Sequence, residues 1–286
     1  MFDDQFKSQA RADYARARLK AFVHSALAAL SGESNSLLSY DDVKEKLRIG
    51  GPIYRGMKTV RVDQIIGSLN RYHEFDRTFL PTHDKNAERW QNIDRAFYGE
   101  VSLPPVVLYK VADVYFVVDG HHRVSVAREQ HQIYIDAEVR ECATKVKFSA
   151  DIQPEDLEIL GEKVDFIERT QIDRLLPGVD IYLNIPDGFS RMLEHIAVHR
   201  YFMGLEQKRD ISESEAVIDW YHNVYMPIVN VIRASNILEE FPDKTEGDLY
   251  LWVLDHQHDL AEQGHELQSP SDAAREFIEE KDNKEK

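Results

Sequence analysis

The chain has 286 residues, 43% of them hydrophobic, which is enough for two folded domains. No apolar run approaches the roughly 20 residues of a membrane span, and the first residues lack the apolar stretch of a secretory signal, so we expect a cytoplasmic protein with no membrane partner. The single cysteine, Cys142, excludes an intrachain disulfide and a cysteine-rich zinc site.

The net charge of −16 is unevenly distributed. Residues 51–145 are neutral, with 13 basic and 13 acidic residues, whereas residues 241–286 carry 5 basic and 13 acidic residues. Because nucleic-acid binding depends on Lys and Arg that neutralise phosphates, this balance disfavours DNA as a partner but leaves it possible. The acidic residues 276–286 are expected to form a solvated tail.

The N-terminal part of the chain favours helices. Residues 4–31 are alanine-rich and predict one long helix, and Ser39 provides an N-cap for a short helix over residues 40–47. The basic residues of the long helix either face solvent or contact nucleic acid, and the interleaved acidic residues favour solvent. These basic residues are Lys7, Arg11, Arg16, Arg18 and Lys20.

From Gly56 the pattern changes to short strands and helices. Trp90, Ile93 and Phe97 have the spacing of an apolar helix stripe, and residues 133–140 alternate as a half-buried strand does. The pattern further predicts strands over 58–62, 106–111 and 114–118, a short helix over 62–69, and a helix that begins directly after residue 123.

After about residue 150 the pattern is mainly helical. Asp187 is a candidate N-cap, and Ser212 with Glu215 and Thr245 with Asp248 have the spacing of capping boxes. Pro227 is expected to bend the helix in which it lies.

The densest group of polar residues follows the strand over 114–118, in the turn from Asp119 to Arg123 with sequence DGHHR. A strand that runs through a glycine into a helix directs backbone N–H groups and the positive helix end at one point, which suits an anion. The structural alternative is a turn in which Asp119 caps the helix and a histidine bonds to the backbone. Both interpretations remain open at this point.

The order of elements, with a Pro-Pro-introduced hairpin followed by strand, G-x-x-R turn, helix and strand, resembles the ParB/sulfiredoxin-like family over residues 56–142. ParB proteins carry Gly-Glu-Arg-Arg where this chain has Gly120 to Arg123. The resemblance implies a small mixed sheet with helices in residues 56–150. Together with the helical patterns on either side, it predicts an α+β fold with an N-terminal helical segment in 1–55 and a mainly helical domain with an acidic tail in 151–286.

In that family the turn holds the phosphates of a nucleotide, which is CTP in ParB proteins and ATP in sulfiredoxin, and a free-serine kinase uses an adenine nucleotide on the same scaffold. The resemblance implies that Gly120 lets the backbone approach a phosphate and that Arg123 pairs with its oxygens. His121 and His122 would donate hydrogen bonds or bind a metal ion, and Asp119 would hold Mg²⁺ as a cofactor. The turn has no cysteine, which excludes the thiol chemistry of sulfiredoxin.

The segment 70–77, with sequence NRYHEFDR, stands where ParB proteins have a second polar motif. A productive arrangement would bring Arg71 and Arg77 to the phosphates, with Glu74 or Asp76 as catalytic base and His121 as a further catalytic candidate. The alternative is a surface loop that holds an Arg–Asp pair.

His195 and His199 form a second candidate group, because residues at i and i+4 share one helix face. Two such histidines chelate zinc when further ligands converge, but the order is not His-Glu-x-x-His. Histidines at the edge of a core are the interpretation that we favour.

Two functional hypotheses follow. The first is a nucleotide-binding protein, an NTPase or a small-molecule phosphotransferase that uses a nucleoside triphosphate with Mg²⁺ and forms a homo-oligomer. The second is a non-enzymatic regulatory or partition-like adaptor that contacts a protein partner or DNA.

Overall fold

The computed structural model describes residues 2–31, 34–71, 73–264 and 268–284. The chain divides into two compact units, Met1–Leu157 and Glu158–Lys286. The predicted segments 1–55 and 56–150 both fall within the first unit. Within the described residues, no helix has the length and apolar character that crossing a membrane requires.

The first unit combines a mixed sheet with helices, as predicted. Its helices are α1 (Phe2–Ser31), α2 (Tyr40–Lys46), α3 (Ala87–Tyr98) and α4 (His121–Glu129). Its strands are β1 (Leu38–Ser39), β2 (Pro52–Arg61), β3 (Ile65–Ser68), β4 (Val106–Val111), β5 (Val114–Asp119) and β6 (Tyr134–Cys142). The predicted long first helix is confirmed, and Ser39 caps α2 by accepting a hydrogen bond from the backbone N–H of Asp42.

The six strands in the described part of the chain pair in the order β1-β3-β5-β4-β6-β2. The pairs β1–β3, β3–β5 and β4–β6 are parallel, whereas β4–β5 and β2–β6 are antiparallel. The hairpin between β4 and β5 turns at Ala112, whose φ is 49°. This mixed order brings the end of β5 and the end of β3 next to each other, because the two strands run in the same direction.

Helix α4 lies between the sheet core and a helical layer. Its Val124 joins the apolar cluster of the sheet, which includes Leu108 and Val117. Its Val126 joins a second cluster with Trp90 of α3 and Tyr14 of α1. Because both sides of α4 are covered, four of its polar residues are buried: His121, His122, Ser125 and Glu129.

The predicted helix over 62–69 is wrong. The chain forms a 3₁₀ turn over Val62–Gln64 and then strand β3. Ile65 pairs with Tyr115 of β5, and a Cβ at Gly67 would lie 2.3 Å from the Phe116 ring, so the strand is pressed closely against its neighbour. The glycine allows this close approach, and pairing with β5 overrides the short helical pattern.

Strand β2 is longer than the predicted strand over 58–62, because it begins at Pro52. Most of its residues are exposed, and it lies at the edge of the sheet order. An edge strand with few buried residues lacks the apolar alternation by which a strand is predicted.

The second unit is helical, as predicted. Its helices are α5 (Asp156–Thr170), α6 (Ile172–Leu175), α7 (Gly188–Gln207), α8 (Glu213–Trp220), α9 (Met226–Ser235), α10 (Glu246–Glu262) and α11 (Pro270–Lys284). Thr245 and Asp248 form the predicted capping box, and Ser212 accepts from the N–H of Glu215. Asp187 precedes α7 with φ of 59° but does not cap it with its side chain.

The core of the second unit is built around Trp220 and Tyr250, since the Trp220 indole donates to the Tyr250 hydroxyl at 2.9 Å. A π-helical turn over Tyr221–Tyr225 precedes α9, which has Pro227 in its first turn. Proline has no N–H to donate, so the irregular turn lies where the regular helical bonding is interrupted.

The expected solvated tail over 276–286 is partly a packed helix. Residues up to Lys284 belong to α11, and Phe277 and Ile278 are buried together with Ala274. The spacing of these apolar residues covers one helix face, which outweighs the acidic composition. Residues 285 and 286 lie outside the described residues.

Candidate functional site

Gly120 lies between the end of β5 and the beginning of α4. Its φ of 97° and ψ of 23° lie in the left-handed region, which favours glycine. A Cβ at this position would also lie 2.6 Å from Cγ1 of Val106 and 2.9 Å from the Arg123 guanidinium. Both conformation and space therefore require glycine, as the sequence indicated.

Arg123 and Asp119 bracket this glycine and bind each other. Nη2 of Arg123 donates to Oδ2 of Asp119 at 2.6 Å, and Nη1 donates to the carbonyls of Pro104 and Pro105. The Arg123 side chain is 13% exposed, whereas that of Asp119 is 61% exposed. Arg123 thus fastens the Pro-Pro segment to the turn, and Asp119 pairs with Arg123 and does not cap α4.

His121 faces the sheet. Its Nε2 lies 2.7 Å from Oγ of Ser68, at the end of β3, and its ring stacks on Phe75. The Ser68 hydroxyl donates to the carbonyl of Leu69, so His121 Nε2 is assigned as the donor to Ser68. Burial, with a smaller effect of the Arg71 charge, lowers the pKa of His121 to about 4. The imidazole is therefore neutral at pH 7.

His122 is buried in a different way. Among the described residues, neither of its ring nitrogens finds a hydrogen-bond partner, although the side chain is only 4% exposed. Phe75 lies edge-on to its ring at 5.3 Å. Burial lowers the pKa of His122 to about 4, and the charges of Arg89 and Arg71 act in the same direction. A buried polar group without a protein partner is rare, so His122 is a candidate to bind a ligand.

His122 lies in the wall of a cavity of about 350 Å³. Three of the lining residues are aromatic, and most of the others are polar and bear both charge signs, with a carboxylate and an ammonium group. The lining residues are Tyr14, His73, Glu74, Phe75, Pro81, His83, Lys85, Asn86, Trp90 and His122. A lining of aromatic side chains with a few polar groups is typical of a small-ligand site.

Glu74 is the predicted base that the structure brings to this cavity. Its Oε2 accepts a hydrogen bond from Asn86 at 2.8 Å and one from Arg71 at 3.4 Å. The Glu74 side chain is 36% exposed, so the carboxylate is held and still open to solvent. Glu74 thus lines the same cavity as His122, and its partner Arg71 lies close enough to affect the pKa of His122.

Asp76 and Arg77 have other contacts than those predicted. Asp76 is 1% exposed; its Oδ1 accepts from the backbone N–H groups of Thr78 and Leu80, and its Oδ2 contacts His24 at 3.3 Å. Arg77 donates to Gln153 at 2.8 Å and to backbone carbonyls of residues 151 and 152. These contacts account for both side chains as parts of the loop structure, without a ligand. Tyr72 of the same segment lies outside the described residues.

The predicted Mg²⁺ ligand, Asp119, is a single exposed carboxylate paired with Arg123. Among the described residues, no three His, Cys, Asp or Glu side chains are grouped as a metal ion requires. Magnesium is commonly held by one or two carboxylates together with substrate phosphates. The residues present fit only that arrangement, in which the ion is bound together with a phosphorylated ligand.

His195 and His199 have separate partners within the second unit. Nδ1 of His195 lies 3.2 Å from the Tyr250 hydroxyl, and Nε2 of His199 lies 2.7 Å from Oδ2 of Asp219. Burial lowers the pKa of His195 to about 4. The two rings therefore have different hydrogen-bond partners.

Several residues of the site were missed by sequence reasoning. His73, His83 and Lys85 line the cavity, and Arg89 is close enough to act on the pKa of His122. The polar run from His83 to Arg89, directly before the Trp90 stripe, was the available signal. No periodicity shows that this run folds back toward the turn at residue 120.

Comparisons with known proteins leave the family open. No family model matches the chain, and no curated protein matches its sequence. Among solved structures, the chain is similar to the "C2221 form of Pnob8-like ParB-N domain", with 11% sequence identity and a TM-score of 0.22. That match covers 80% of this chain and 98% of the other. A TM-score at this level carries no argument about fold or function.

Proposed function

We propose that this protein binds a nucleoside triphosphate at the N-terminal end of α4 and hydrolyses it or transfers a phosphoryl group to a small molecule. The observation that carries the proposal is the position of His122, whose two nitrogens have no partner among the described residues and lie in a cavity wall directly after the left-handed Gly120. The resemblance of the DGHHR turn to the ParB/sulfiredoxin-like family supports the same ligand class.

The electrostatics of the site favour an anion. The first N–H groups of α4 have no partner within the helix, and the helix dipole is positive at this end. The charges of Arg71 and Arg89 both lower the pKa of His122, and Lys85 lines the same cavity as His122, so three cationic side chains lie in the neighbourhood of His122. The volume of about 350 Å³ is at the lower end for ligand sites and suits a phosphate group with part of its substituent.

In this proposal, Arg123 binds phosphate only after it exchanges its present partner. Its Nη2 is bound to Asp119, so it contacts a phosphate oxygen only if the phosphate replaces that carboxylate. The exchange would release Asp119, and an Mg²⁺ ion that is bound with the nucleotide would then have a carboxylate ligand. When bound, Mg²⁺ would neutralise phosphate charge.

Glu74 is the proposed base, because its carboxylate lines the cavity and is fixed by Asn86 and Arg71. His122 is neutral at pH 7 and can donate one hydrogen bond and accept another. His121 is bound to Ser68 and would position the first turn of α4 against β3.

The test is a thermal-shift measurement with ATP, CTP and GTP, each with and without Mg²⁺, because a ligand that binds only the folded state raises its stability. We expect one nucleotide to raise the unfolding midpoint of the wild type and Arg123→Ala to lose that shift. Arg140→Ala is the matched control, since Arg140 pairs with Glu138 on β6. Because Arg123 also binds Pro104 and Pro105, Arg89→Gln provides a second variant without those contacts and should weaken the shift. The absence of any shift in the wild type, or a full shift in both variants, would overturn the proposal.

The second candidate is a regulatory or partition-like adaptor that binds a nucleotide without turnover. The contacts of Asp76 favour this candidate. Because the Asp76 carboxylate is buried and bound within its own loop, Glu74 is the one predicted base that lines the cavity. Phosphate release that is lost in Glu74→Gln would select the enzyme. Nucleotide binding without phosphate release or transfer would select the adaptor.

A further inference from the structure

The second half of α1 has its large apolar side chains on the outside. Five of them are between 45% and 86% exposed and form what we call the α1 stripe: Leu19, Phe22, Val23, Leu27 and Leu30. At 100° per residue they fall within about 140° of the helix circumference, so they form one continuous face. Large side chains are normally the ones that a helix buries.

In the second half of α1, after the buried Tyr14, the buried residues of the inward face are small. Ala17 and Ala21 are buried against Trp90 and Val126, on the side of the helix opposite the α1 stripe. Small residues inside and large apolar residues outside are the reverse of the usual distribution for a surface helix. This reversal indicates that the outward face is itself an interface.

The charges beside the α1 stripe determine which partner it suits. Residues 14–31 contain no acidic residue, and their cations pair with acids elsewhere in the first unit. Arg16 and Lys20 pair with Glu129 at 2.7 and 2.9 Å, and Arg18 pairs with Asp84 at 2.9 Å.

A helix that binds anionic lipid keeps its Lys and Arg side chains available for headgroups, and a nucleic-acid helix keeps them available for phosphates. These cations are already neutralised, which disfavours both partners. An identical α1 stripe carries no charge of its own, so two copies meet without repulsion.

The exposed area is sufficient for such a contact. At these exposures each of the five side chains offers about 100 Å² of apolar surface, or roughly 500 Å² per copy. If the partner covered this surface completely, two copies would bury at most about 1,000 Å² together, which is the lower limit for a specific interface.

We propose that the α1 stripe is the contact surface of a homodimer, in which two copies of this chain pair their first helices about a two-fold axis. Each stripe would then cover the other, as an isologous interface requires. An area at the lower limit predicts a dimer that dissociates on dilution.

The experiment is sedimentation velocity of the full chain over a wide range of concentration. We expect a dimer at high concentration and a monomer at low concentration. Phe22→Gln combined with Leu27→Gln should raise the dimer dissociation constant about a hundredfold or more, because four apolar side chains leave the interface. Glutamine keeps the helix propensity, and circular dichroism should show an unchanged helix content.

The matched control is Tyr201→Gln combined with Phe202→Gln, which changes two exposed aromatic residues of α7 in the second unit. The control should leave the dissociation constant unchanged. If the double variant of α1 fails to fold, Leu30→Gln, at the most exposed position of the stripe, should still raise the constant about tenfold.

Three results would overturn the proposal: a monomer at every concentration, a dimer unaffected by the α1 substitutions, or a dimer lost only in the α7 control. Binding of the monomer to vesicles of anionic lipid, lost in the α1 variant, would assign the stripe to a membrane surface instead.

Discussion

The indole Nε1 of Trp90 donates a hydrogen bond to Oγ of Ser125 at 2.8 Å, and both side chains are fully buried. This bond joins α3 to α4 behind the cavity wall that Trp90 and His122 share. A polar bond in a covered layer fixes the rotation of α4, and with it the direction in which the turn at Gly120 faces.

Ser125→Ala should lower the free energy of unfolding by about 1–3 kcal/mol, because the Trp90 N–H is left buried without an acceptor. The measurement is urea unfolding followed by fluorescence. A double-mutant cycle with Trp90→Phe provides the control, since removing both polar groups should cost less than the sum of the two changes. Strict additivity would mean that the bond contributes nothing to stability.

Gly120→Ala should destabilise the protein by about 1–3 kcal/mol, because alanine is strained at positive φ and its Cβ would crowd Val106. Gly56→Ala is the matched control, since Gly56 has φ of 84° but no atom within 4 Å of the position that a Cβ would take. The control isolates the cost of the backbone conformation, and we expect about 1 kcal/mol for it. Equal losses for the two variants in thermal unfolding would show that the crowding at Gly120 is relieved.

The buried His122 predicts a loss of stability in mild acid. Its pKa is about 4 in the folded state and about 6.5 in the unfolded chain, so the unfolded chain binds more protons between these values. The contribution of His122 is complete above pH 6.5 and declines as the pH falls toward 4, by at most about 1.4 kcal/mol per pH unit. His122→Leu should therefore flatten the dependence of unfolding free energy on pH between 7 and 5. Parallel curves for the variant and the wild type would contradict this account.

The buried Asp94 predicts that stability changes with pH in the opposite direction. Burial raises its pKa to about 6, and the neighbouring Asp13 carboxylate adds to the shift. An acid whose folded pKa is raised binds its proton more tightly in the folded state, so its contribution declines as the pH rises from about 4 to 6.

Asp94→Asn should consequently stabilise the protein by about 1–2 kcal/mol at pH 8 and have little effect at pH 4. The amide oxygen can still accept from Gln130, which donates to Oδ1 of Asp94 at 2.7 Å. Thermal unfolding at the two pH values checks the prediction, with the exposed Asp136→Asn as control. A variant that is less stable than the wild type at pH 8 would show that the charged form of Asp94 is needed in the fold.

Several elements of the fold were predictable from local sequence. The DGHHR turn requires a glycine at positive φ, and the alternation over 133–140 corresponds to strand β6, because both are local properties of the backbone and its side-chain period. The capping box joins Thr245 and Asp248, which are three positions apart, so it was equally predictable from the sequence. The same local turn placed Gly120 and Arg123 next to each other in space.

Contacts between distant segments were decided only by the tertiary structure. Residues 65–68 form a strand because β5 offers them hydrogen bonds, although their own pattern suggested a helix. Glu74 and Asp76 are two residues apart and looked equivalent in the sequence. One lines the cavity with His122, whereas the other is enclosed by its own loop and His24. Burial and pairing of this kind depend on which surfaces meet, and spacing along the chain carries no information about that.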